Sequence, residues 1–170
     1  MIGIFDSGVG GMTVAQAVEQ ALPEFRLVYF GDLARAPYGS KSPETITGYA
    51  RQNTEFLLAH GAKLIIIACN SAASVAADLL KSAYDVPIFE VIAPAIHTAC
   101  GATASGRIGV IGTRATIKSG VYEEKIRRLL PKARVHSQAC PLLVPLVEEG
   151  WLHKRETQMI VRRYLYPLKL

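Results

Sequence analysis

The chain has 170 residues, 19 Lys+Arg against 14 Asp+Glu, a formal net charge of +5, 50% hydrophobic residues and 3 cysteines. That length suits about one domain with a real core, and the composition excludes an intrinsically disordered chain. The longest strongly apolar run, Leu64 to Cys69, is too short to cross a bilayer, and no basic segment precedes an apolar one at Met1, so neither membrane insertion nor secretion is expected.

Ile2-Gly3-Ile4-Phe5 is an apolar run closed by Asp6-Ser7-Gly8 and reads as a buried strand. Val14, Ala17, Val18, Ala21 and Leu22 recur at helical spacing before Pro23. Leu27 to Phe30 is the second strand, ending at Gly31-Asp32, and a turn-rich loop with Pro37-Tyr38-Gly39-Ser40 follows. Ser42-Pro43-Glu44 opens a helix that stops at His60-Gly61. Leu64 to Ala68 is the third strand, and after Asn70-Ser71 a helix runs to about Lys81. The alternation predicts a mostly parallel sheet covered on both faces. Pro87 to Val91 adds a short strand, and Ala93 to Ala102 a helix. The small-residue stretch Cys100 to Gly106 reads as a loop, which puts a boundary within residues 92–106. Arg107 to Gly112 restarts the pattern, followed by a helix from Ser119 to Leu130, a strand from Ala133 to Gln138, and helices at Leu142–Glu149 and Lys154–Tyr164.

Charge is uneven along this order. Residues 1–100 carry 6 Lys+Arg and 9 Asp+Glu, whereas residues 101–170 carry 13 and 5. The basic residues are interspersed with apolar ones rather than clustered with aromatics, so solvated helix faces are expected and nucleic acid is not. Three widely spaced cysteines make no disulfide framework and point to free thiols in a reducing compartment.

Ligands of parallel α/β sheets bind beyond the carboxyl ends of the strands. Three such ends carry unusual residues: Asp6-Ser7-Gly8-Val9-Gly10-Gly11, Gly31-Asp32 with Tyr38-Gly39 beyond it, and Ala68-Cys69-Asn70-Ser71. Cys69 stands between a buried strand and a helix N-terminus, a place expected to favour the thiolate and lower its pKa. Its other reading is a small core cysteine. Asn70 and Ser71 are either helix caps or ligand contacts; Asp6 and Asp32 either hold their turns or orient a catalytic partner. Gly8-Val9-Gly10-Gly11 with Asp32 is reminiscent of a dinucleotide fingerprint, but Thr13 stands where its third glycine belongs. No P-loop is present, and the Cys and His spacings give no metal set, so neither a nucleotide cofactor nor a metal is expected.

Taken in order, Ile4-Phe5-Asp6-Ser7-Gly8-Val9-Gly10-Gly11, Gly31-Asp32, Pro37-Tyr38-Gly39, Ala68-Cys69-Asn70-Ser71, Gly109-Val110-Ile111-Gly112-Thr113, Cys140-Pro141-Leu142 and Pro145 to Gly150 resemble the glutamate racemases of the cofactor-independent aspartate/glutamate racemase superfamily. The resemblance runs through nearly the whole chain. It implies an α/β fold of two pseudo-symmetric lobes with mostly parallel sheets flanked by helices, here 1–92 and 93–170, the second lobe and the C-terminal return being incomplete. It also implies interconversion of L- and D-glutamate by two cysteines working from opposite faces, without cofactor. The family supplies D-glutamate for peptidoglycan, so a bacterial cytoplasmic enzyme is implied, with self-association of the chain allowed.

Carried over residue by residue, Cys69 matches the first cysteine. Asp6, Asp32 and Glu148 match acidic residues around the family's site. Asp6, Ser7, Tyr38, Gly39, Asn70 and Ser71 match substrate contacts, with Ser71 where the family commonly has Thr. The second cysteine belongs to a Gly-Cys-Thr-His motif beyond the Glu148 segment, and this sequence holds no such motif. Neither Cys100 nor Cys140 replaces it. A truncated racemase, inactive in inversion on its own, is therefore expected. The alternatives are a non-catalytic glutamate- or partner-binding fragment, and a racemase for aspartate or another amino acid.

Overall fold

The computed structural model describes residues 1–168; Lys169 and Leu170, where the expected second lobe ends, lie outside the described residues. The chain divides into two compact units, Met1–Ile92 and a second beginning at Ala93.

The first unit is built on four parallel strands, β1 (Ile2–Asp6), β2 (Leu27–Gly31), β3 (Leu64–Ile67) and β4 (Ile88–Glu90), in the order β2-β1-β3-β4. Helices α1 (Met12–Ala21), α2 (Pro43–Ala59) and α3 (Asn70–Ala83) supply the crossovers. Side chains alternate across a strand, and β1 shows both faces filled. Ile2 and Ile4 pack with Ala15 and Ala68, with Val14 and Val18 of α1 against them. Gly3 faces the other way, where a Cβ would meet Ala62 at 2.9 Å and Leu57 of α2 at 3.2 Å. A sheet with both faces covered needs apolar residues at successive strand positions, which is why Ile2 to Phe5 and Leu64 to Ile67 are continuous runs. Helix α3 buries Ala72, Ala73, Ala76 and Ala77, small side chains that allow close approach, with Leu80.

The helix ends follow their residues. Ser42 accepts from the Thr45 N–H at 3.2 Å, and Pro43 occupies the first position of α2. Gly61 takes φ +87° just beyond its end, a conformation that glycine adopts without cost. The loop after β2 contains two 3-10 turns, Leu33–Arg35 and Tyr38–Ser40, where the sequence predicts only a loop. Its Ala36–Pro37 peptide is cis.

In the second unit, β5 (Arg107–Gly112) and β6 (Arg134–Ala139) pair in parallel, Arg107 beside Arg134 and Gly112 beside Ala139. Helix α4 (Ile92–Ala102) precedes them and ends at Ala102 as the sequence predicts, so the small-residue loop starts at Thr103 rather than at Cys100. Between the strands the sequence predicts one helix from Ser119. There are two, α5 (Arg114–Lys118) and α6 (Val121–Leu129). Thr113 caps α5 by accepting from Thr116 N–H, and Gly120 at φ +71° separates the two helices. Helix α6 turns Ile126 inward and pairs Glu124 with Arg128 at 2.5 Å on its outer face. Helices α7 (Leu143–Glu148) and α8 (Arg155–Leu165) follow. No helix among the described residues is long and apolar enough to cross a membrane.

Candidate active site

Strand order makes one position special. The connection leaving β1 crosses to β2 on one side, while the connections after β2 and β3 build the sheet on the other side, through β3 to β4. The carboxyl ends of β1 and β3 therefore flank a switch point, where loops diverge and leave a crevice. Asp6 and Ser7 stand at the first end, Ala68 and Cys69 at the second.

Cys69 is the N-cap of α3, and its sulfur accepts from the Ala72 N–H at 3.4 Å. Its thiol donates to the Ser7 hydroxyl oxygen at 3.3 Å. The cysteine is 4% exposed. Burial, and then the negative charge of Asp6, push its pKa up from the ordinary value of 9.0, while the Ser7 and Ala72 contacts pull it down. The net direction is upward, so the expected depression is corrected. The helix N-terminus offers the Ala72 N–H to the sulfur, and removal of the thiolate from water outweighs it.

Asp6 holds the glycine turn. Its Oδ2 accepts from the Gly8 N–H at 3.2 Å and the Gly11 N–H at 2.9 Å. A Cβ at Gly11 would lie 2.6 Å from the Asp6 Cβ and 3.0 Å from both the Ala68 Cβ and the Tyr29 hydroxyl, so no other residue fits without a shift. Tyr29 donates its hydroxyl to the Gly8 carbonyl at 3.0 Å and ties the turn to β2. Its pKa is pushed up to about 12 by burial and by the nearby acids Asp6 and Cys69. Tyr29 is thus a member of this cluster that sequence reasoning missed. Its place in an apolar strand run gives no signal of the hydroxyl's role.

The Asp32 region forms a second polar group at the end of β2. Asp32 Oδ2 accepts from the Tyr38 hydroxyl and from Arg35 Nε, the latter at 2.7 Å. Asn53 of α2 donates to the Tyr38 hydroxyl at 3.0 Å and accepts from the Arg35 guanidinium at 2.9 Å. Tyr38 is wholly buried, and its pKa is raised by burial and then by its bond to Asp32. Its phenol is therefore committed within the protein, and the neighbouring Gly39 is half-buried. Asn53 was missed in sequence. It did leave a signal, because it shares the spacing of Ile46, Ala50 and Leu57, and a polar residue on an apolar stripe needs a buried partner.

Asn70 and Ser71 open α3 beside Cys69, Asn70 exposed and Ser71 buried. Glu148 lies in the second unit, exposed at the end of α7. Cys140, also in that unit, is buried and donates to the Gln138 carbonyl at 3.5 Å.

Residues 12–164 match the Asp/Glu/hydantoin racemase family. A glutamate racemase of Syntrophus aciditrophicus is 52% identical over 167 residues, covering 98% of this chain and 62% of that protein. The crystal structure of glutamate racemase isoform RacE1 from Bacillus anthracis superposes with a TM-score of 0.94 at 39% identity, covering 99% of this chain and 63% of that one. Glutamate racemase from Francisella tularensis in complex with D-glutamate gives a TM-score of 0.92 at 37% identity, with the same two coverages. The chain thus spans somewhat under two thirds of the length of these relatives.

Proposed function

Because the chain belongs to the Asp/Glu/hydantoin racemase family, we propose that its first unit supplies one proton-transfer face of a glutamate racemase. The observation that carries this reading is the Cys69–Ser7 pair at the switch point of the sheet, 3.3 Å apart. As a thiolate, Cys69 removes the α-proton of glutamate: the C–H bond breaks, an S–H bond forms, and the electron pair spreads into the α-carboxylate. The S–H proton exchanges with solvent, and the same thiol then delivers a solvent-derived proton to the carbon from the same face. Ser7, Asn70, Ser71 and the backbone at Tyr38 and Gly39 are the groups proposed to hold the amino acid. Asp6 and Asp32 are the acids proposed around it, Asp6 through its effect on the thiol; for Glu148, in the second unit, an acidic role is proposed from the family resemblance alone. Glutamate is favoured over aspartate because the relatives closely similar along this chain are named glutamate racemases.

Inversion needs an acid on the opposite face of the carbon. The 170 residues hold no Gly-Cys-Thr-His motif, so this chain alone exchanges the α-proton of one enantiomer. No cofactor takes part in this scheme, and its setting is a bacterial cytoplasm that consumes D-glutamate. The test is deuterium incorporation at Cα of glutamate in heavy water, read by proton NMR. Cys69→Ser is expected to reduce it by about a hundred-fold or more. Equal exchange in the two proteins would remove Cys69 from the mechanism.

A further inference from the structure

The polar group around Tyr38 is more than a buried hydrogen-bond network. Arg35 is its hub. Its planar guanidinium reaches Asp32 at 2.7 Å, Asn53 at 2.9 Å and Gln52, and lies 4.2 Å from the centroid of the Tyr49 ring. Asp32 and Arg35 belong to the loop after β2, and the other three to α2. Tyr38, in the second 3-10 turn, is fixed from both sides by Asp32 and Asn53. The backbone bonds inside this loop are few: Arg35 N–H to Asp32, Ala36 N–H to Leu33, and Lys41 N–H to Tyr38. Side chains, rather than backbone ladders, therefore hold the turn against the helix.

We propose that Arg35 and Asn53 are positioning residues that clamp the Pro37–Ser40 turn onto α2 and so fix the backbone that the amino acid meets. This rests on the racemase reading for the identity of the ligand, though not for the clamp itself. On this view Asp32 acts through Tyr38 and Arg35 and touches no substrate atom. A lysine at 35 keeps the charge but gathers its donors on one nitrogen, whereas Arg35 reaches Asp32, Gln52 and Asn53 from three separate nitrogens of a planar fork. A leucine at 53 keeps the bulk but leaves the Tyr38 hydroxyl and the guanidinium short of a partner.

The test compares Arg35→Lys and Asn53→Leu with the unaltered chain by two readouts. The first is amide hydrogen exchange. The amides of Arg35, Ala36 and Lys41 are expected to exchange about ten-fold faster in both variants, the factor that corresponds to one lost hydrogen bond to a charged group, while Ile65 and Ile67 of β3 stay unchanged. The second is α-proton exchange of glutamate, in which KM is expected to rise about ten-fold and kcat to move much less, as for lost uniform binding. Unchanged turn amides in Arg35→Lys would overturn the clamp. So would uniform loosening that includes β3, since that marks a general brace. Faster turn amides with an unchanged KM would overturn the positioning role. Absence of α-proton exchange in the unaltered chain would strike the racemase reading instead, and the amides would still decide the clamp.

Discussion

The Cys69 thiol and the Ser7 hydroxyl meet at 3.3 Å although 62 residues separate them in sequence. Two features bring them together. Strands β1 and β3 are neighbours in register, Phe5 beside Ile67, so the residues just past each end are neighbours as well. The Asp6 carboxylate then bends the chain at Ser7 by accepting from Gly8 and Gly11.

The pH dependence follows from the thiol's surroundings. Burial and Asp6 raise the Cys69 pKa above 9.0, and only the thiolate is a base. Exchange of the α-proton is therefore expected to climb with pH through neutrality and to keep climbing past 9.0, measured as kcat/KM in buffered heavy water. A plateau near neutral pH would contradict it. The same shift has a stability consequence. The folded state holds this proton more tightly than the unfolded one, so the contribution is present below the unfolded pKa and is lost as pH rises through the folded value. Cys69→Ala should therefore flatten the alkaline loss of stability that urea titrations at rising pH are expected to show.

Ser7→Ala tests the pair directly. The serine pulls the thiol pKa down, so its removal should displace the ascending limb of the pH profile to still higher pH. The matching measurement is the pH dependence of Cys69 alkylation, followed on its own peptide by mass spectrometry. A shift toward lower pH would mean that the hydroxyl does not stabilise the thiolate.

Gly11→Ala places a methyl group within 2.6 Å of the Asp6 Cβ, and the nearby Ala68 Cβ cannot yield by a rotamer change. The expected cost is about 1–3 kcal/mol of unfolding free energy, the usual range for overpacking. Urea denaturation monitored by circular dichroism measures it.

Tyr38→Phe removes a hydroxyl that serves both Asp32 and Asn53 in a fully buried place. Asn53 then loses an acceptor and Asp32 a donor. The expected loss is about 1–3 kcal/mol, again by urea denaturation.

Much of this was legible in the residues, for identifiable reasons. The apolar runs Ile2 to Phe5 and Leu64 to Ile67 are strands because a sheet covered on both faces leaves no polar position, and each stops at the residues that line the switch point. Ser42-Pro43 marked the start of α2 through local chemistry alone. Through-space effects were not legible. The Cys69 pKa depends on Asp6 and on burial, neither of which a helix-terminus argument contains. The Arg35 hub joins a loop to a helix 17 and 18 residues further on, and no local pattern announces it. The short helix α5 escaped because its five residues, Arg114–Lys118, are too few to display a period.

The central claim is that this chain carries one proton-transfer face. The most direct measurement offers L-glutamate and D-glutamate separately in heavy water, reading deuterium at Cα by NMR and handedness by circular dichroism. The expected result is deuterium entering one enantiomer only, with no change of handedness. Inversion at a rate comparable to the exchange would contradict the claim, because it would require a second acid facing the opposite side of the carbon.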